Sequence, residues 1–78
     1  MLASYTCTSV DKSTLFKISR FLDVVERRFG VDILFSSSAK EDAVFLVFSI
    51  NYANVENLTK ILFSIEDKLK ELNLDIGD

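Results

Sequence analysis

The chain has 78 residues, a formal net charge of −3, 49% hydrophobic residues, one cysteine and no histidine. These figures exclude an internal disulfide, a zinc-finger-type structural site and Ser/His/Asp catalysis, since each needs residues the chain lacks. They also argue against a stand-alone nucleic-acid binder, because phosphate contacts need clustered Lys and Arg.

Tyr5-Thr6-Cys7-Thr8-Ser9-Val10 is rich in β-branched and aromatic types, which predicts a strand from Ala3 to Ser9. Asp11 follows as an N-cap, its carboxylate able to accept the free N–H groups of the next turn. Leu15, Ile18, Leu22, Val25 and Phe29 recur at spacings of three and four, which is one helix face over Lys12 to Phe29. Gly30 supplies the left-handed stop, and Arg27 and Arg28 sit where cations favour the helix dipole.

Val31 to Ser37 alternates, with Val31, Ile33 and Phe35 on one side and Asp32, Leu34 and Ser36 on the other. That predicts a second strand with one buried face. The polar stretch Ser37 to Asp42 reads as a hairpin loop. Ala43 to Ile50 is nearly all apolar, as expected of a central strand covered on both sides. Asn54 caps a second helix, whose face is Val55, Leu58, Leu62, Ile65, Leu69 and Leu72. Glu56/Lys60 and Glu66/Lys70 are spaced as ion pairs, Asn73 is the left-handed stop, and Leu74 to Asp78 reads as a tail left to fray.

The order strand, helix, strand, strand, helix predicts one α+β domain over residues 1–78. Placing the most apolar strand in the middle gives a three-stranded antiparallel sheet of order 1-3-2. A right-handed crossover then puts both helices on one face. Two helices leave the other face bare, so Leu34, Phe45 and Val47 are expected to face outward. A domain of this size buries only roughly 60% of its unfolded surface and usually needs a disulfide, a metal or a partner. With the first two excluded, association is expected, and those three side chains are the candidate interface. Phe16, Val24 and Phe63 fall off their helices' inward stripes. Phe16 and Phe63 are therefore read as a second contact surface suited to partner helices.

No residue set points to catalysis or to a cofactor. Cys7 has no histidine to activate it and reads as a small core residue. Glu41 and Asp42 are adjacent in a turn, which is not an acid/base pair. Lys17, Arg20, Arg27 and Arg28 lie on roughly one side of the first helix and are the candidate RNA contact. Asp23 and Glu26 dilute that strip, with Asp23 spaced to pair with Arg27, so a solvated face is favoured over it. No apolar run approaches the roughly 18 residues of a membrane span, and Met1 to Ser9 lacks the basic start of a secretory signal. With a free cysteine, this predicts a cytoplasmic protein.

The layout resembles one family, the small dimerising subunit of the KEOPS (EKC) complex, which makes the threonylcarbamoyl modification of adenosine in tRNA. The likeness lies in an apolar strand, Val44 to Ile50, a polar junction, Asn51 to Asn54, and a helix with Leu58 at its head and Ser64 within it. Family members commonly carry Leu-Arg and Asn-Ser where this chain has Leu58-Thr59 and Phe63-Ser64. The departure suggests a divergent paralogue. The resemblance implies a non-catalytic assembly subunit, paired with itself or with a paralogous small subunit. It further implies docking onto the catalytic subunit of the complex, with tRNA met through the assembly. Two other functions compete. One is a stand-alone ferredoxin-like regulatory module holding a small ligand at a seam, with Asp32 and Tyr52 as its polar groups. The other is a weak RNA-binding adaptor using the basic strip.

Overall fold

A computed structural model describes residues 1–52 and 54–76. Ala53 of the predicted junction and Gly77 and Asp78 of the predicted tail lie outside the described residues. The elements are β1 (Leu2–Cys7), α1 (Lys12–Phe29), β2 (Asp32–Lys40), β3 (Ala43–Asn51) and α2 (Val55–Glu71). Both helices start and stop on the residues their chemistry predicts. Asp11 is extended, and its carboxylate accepts the Thr14 N–H at 2.7 Å. Gly30 closes α1 at φ 65°, its N–H on the Glu26 carbonyl at 2.8 Å. The Asn54 side chain accepts the Asn57 N–H at 2.8 Å. Asn73 takes φ 61°, which lets its N–H reach the Lys70 carbonyl at 3.0 Å and the Leu74 N–H reach Leu69 at 3.1 Å.

The sheet has the order β1-β3-β2, and both pairings are antiparallel. One departure from the sequence reading changes the shape of the molecule. The stretch predicted as a loop from Ser37 is strand as far as Lys40, paired residue for residue with β3 out to Lys40 opposite Ala43. The turn is only Glu41 and Asp42, with Glu41 left-handed at φ 56°. Serines look like loop, but at an edge they face solvent while their backbone joins the ladder. The long apolar β3 supplies the partner groups. β1, predicted to reach Ser9, ends at Cys7, the last residue opposite β3 at Val44.

The core lies between the sheet's inner face and the helices. Leu46, Phe48 and Ile50 of β3, Ile33 of β2, and Ala3 and Cys7 of β1 form its floor. Ile18, Leu22 and Val25 of α1 and Leu58, Ile61, Ile65 and Leu69 of α2 form its roof. Phe48 is fully buried, stacked on Phe35 at 4.9 Å and edge-on to Tyr5 at 5.8 Å. The α2 stripe is rotated from the predicted one. Ile61 is buried and Leu62 half-buried, while Val55 in the first turn is exposed. The segment predicted to fray is docked as far as it is described. Leu74 and Ile76 pack on the core, and Asp75 accepts from the backbone N–H and hydroxyl of Thr8. Of the predicted helix ion pairs, Glu56–Lys60 forms at 3.6 Å. Glu66 instead turns inward to accept the Tyr5 hydroxyl at 3.1 Å.

Candidate interaction surfaces

Strand alternation sorts the sheet residues onto two faces. The pairing register then places the outward ones in rows. Leu2, Ser49 and Leu34 form one row, Ser4, Val47 and Ser36 the next, and Thr6, Phe45 and Ser38 the third. Leu34, Phe45 and Val47 thus share one face, as the pattern predicts. Leu34 is 74% exposed, and Leu2, on the other edge of its row, is 68% exposed. Phe45 and Val47 are half-buried, because β3 is central and its neighbours lean over it. Serines and threonines flank the pair on both sides. Across these two rows the face is an apolar ridge between hydroxyl margins, while in the first row the apolar residues, Leu2 and Leu34, stand at the edges with Ser49 between them. Leu2 was missed from sequence because one isolated leucine before a strand carries no periodic signal.

The two helix aromatics are separated. Phe16 is 63% exposed near the start of α1, with the Arg20 guanidinium 5.7 Å above its ring. Phe63 is 62% exposed and lines a groove with Arg28, Phe29, Lys60 and Ser64. Phe16 lies about 20 Å back along α1 from Phe29, at 1.5 Å per residue, so the two rings do not share that groove. On the outward pole of α1, Phe16, Arg20, Val24 and Arg27 alternate apolar and basic, and all four are exposed.

Lys17, Arg20, Arg27 and Arg28 are all exposed along α1, and the last two border different hollows. Arg27 borders a shallow depression with Asp23, Glu26 and Asp32, while Arg28 belongs to the Phe63 groove. Carboxylates around Arg27 lower the local positive potential that phosphate would need. The expected Asp23–Arg27 ion pair is not among the bridges of the described residues, which are Lys60–Glu56 and Lys68–Glu71. Asp32 and Tyr52 do come together, in a shallow hollow with Gly30, Val31 and Asn51.

Cys7 is buried, with its thiol 3.7 Å from the Val44 carbonyl. Burial first, and the Asp75 carboxylate second, push its pKa up, so the thiol stays protonated. Tyr5 is pushed up to about 12, by burial first and then by its bond to Glu66. Among the described residues no group of three or more His, Cys, Asp or Glu is placed to hold a metal ion. No helix there is long and apolar enough to cross a membrane.

No family model matches the sequence, and no curated protein matches it either. A solved structure does: the de novo designed protein Ferredog-Diesel is 18% identical to this chain at a TM-score of 0.67. The match covers 97% of this chain and 79% of the designed one. At that identity the likeness establishes a fold and nothing of function: the chain is an α+β domain of βαββα order, on a ferredoxin-like sheet.

Proposed function

We propose that the chain is a non-enzymatic assembly subunit that works by pairing with another protein. The observation that carries this reading is the bare outer face of the sheet. Both helices roof the inner face, so Leu2, Leu34, Phe45 and Val47 have only solvent or a partner to meet. Fully covering such a side chain is worth about 1.5–3 kcal/mol, so several together can hold a complex. Contiguous apolar ridges bounded by polar residues are where soluble domains meet other proteins.

The resemblance to the small KEOPS subunit names the setting. In this reading the chain pairs with itself or with a paralogous small subunit in the cytoplasm. It docks onto the catalytic subunit through its helices and meets tRNA only through the assembled complex. The exposed Phe63, in its groove between α1 and α2, is a suitable anchor for a partner helix. Solution mass, alone and mixed with the KEOPS subunits, tests the proposal. A species heavier than one 8.8 kDa chain, lost on Leu34→Asp or Phe63→Asp, is expected. A stable monomer with affinity for none of those subunits rejects it.

A further inference from the structure

The chain does not end its packing where α2 ends. Asn73 is left-handed at φ 61°, which turns the backbone off the helix, and the Leu74 N–H closes that turn on the Leu69 carbonyl at 3.1 Å. The next residues alternate. Leu74 and Ile76 are half-buried against the core, and Asp75 between them is exposed. Two bonds to β1 set the course of this stretch. Glu66 of α2 meets Tyr5 and Asp75 meets Thr8, so the last turns of α2 and the segment after it follow β1 towards its end. Cys7 stands at that end, opposite Val44.

The segment is lightly held. Among the described residues, Leu74 is its last residue whose N–H has a backbone partner. Beyond that turn it is attached by two half-covered apolar side chains and by the Asp75 carboxylate, which accepts the Thr8 N–H at 3.2 Å and the Thr8 hydroxyl. Asp75 and Thr8 are both exposed, so water competes for both bonds. A segment with few buried contacts and solvent-exposed bonds opens far more readily than the domain it lies on.

We propose that Leu74, Asp75 and Ile76 form a strap that swings off the domain while the sheet and helices stay folded, and that this motion gates the chain's single thiol. Closed, Cys7 is 3% exposed, and its thiol meets the Val44 carbonyl at 3.7 Å. It adjoins Thr8, which the strap grips, and the Asp75 carboxylate is close enough to add to the effect of burial in keeping the thiol protonated. Lifting the strap lets a reagent approach and takes that carboxylate away. Both changes favour attack by the thiolate, which is the reacting form. Cys7 is otherwise held by the ladder to β3 and by the core under the helices, which come apart only with the domain itself. The strap therefore converts an inert core cysteine into one whose reactivity the last described residues control. The device is independent of the pairing reading above and leaves the outer face of the sheet untouched.

The test follows alkylation of Cys7 by iodoacetamide on the full chain through a urea series. Opening the strap uncovers little surface, so the rate should stay nearly flat in dilute urea and climb steeply only where the domain unfolds. Two variants loosen the strap without altering its charge. Thr8→Val removes the hydroxyl that Asp75 accepts, and Ile76→Ser removes an apolar contact. Each should raise the flat rate about fivefold or more, with circular dichroism unchanged. Amide exchange gives a second reading. In Ile76→Ser the Thr8 N–H should exchange faster by a similar factor, while the Phe48 N–H keeps its protection. Should Ile76→Ser fail to fold, Thr8→Val and the urea series of the native chain decide. A rate that climbs from the first addition of urea overturns the strap, because the thiol then reacts only through unfolding. So do variants whose gain in rate merely matches their loss of global stability.

Discussion

β3 shows the same apolar sequence in two environments. Phe45 and Val47 alternate with Leu46 and Phe48, and nothing in residue type separates them. Leu46 and Phe48 have no exposure at all, while their neighbours one residue away are half-open. The difference is the helix layer, which lies on one side only. Stability should therefore live on the inner face and association on the outer face.

The largest expected effect is on the inner face. Phe48→Ala removes the ring between Tyr5 and Phe35 and should cost about 3–5 kcal/mol. That is most of the stability of a small domain, so urea titration should find it largely unfolded. A well-folded Phe48→Ala would break the comparison. Next comes Tyr5→Phe, which keeps the ring and removes the bond to Glu66, for about 1 kcal/mol. The same group gives a pH test. Its folded pKa, about 12, lies above the ordinary value of 10.0, so its share of stability is present below pH 10 and lost as pH rises towards 12. Thermal melts across that window should fall for the native chain and fall less for Tyr5→Phe.

Asn54→Ala removes the cap that starts α2 over the core and should cost about 1 kcal/mol. Chemical denaturation with an unchanged slope is the measurement. The smallest effect belongs to the outer face. Leu34→Ser should shift the stability of the isolated chain by less than about 0.5 kcal/mol. It should nonetheless reduce association, and a large loss of stability in the monomer would show that Leu34 is already sheltered.

The helices were legible because their signals are local. Asp11, Gly30, Asn54 and Asn73 each act within a few residues, and the caps form where the residue types require. The strand order was legible because only β3 is apolar enough to stand in the middle. Ser36 to Lys40 were not, since a polar residue at an edge and a polar residue in a loop are equally well solvated. The two helix aromatics were likewise separated by geometry that a helical projection does not contain. A projection gives angle around one axis and no distance between axes.

The sequence by itself determined the element order, the caps, the inward stripe of α1 and the presence of more apolar side chains than two helices can roof. Periodicity and capping are short-range physics, readable from neighbours along the chain. Only the tertiary structure decided that β2 runs on to Lys40, that Glu66 turns to Tyr5 rather than to Lys70, and that Arg27 and Arg28 part into different hollows. Those outcomes depend on which distant groups arrive alongside, and pairing across a sheet or between helices supplies partners that no local pattern contains.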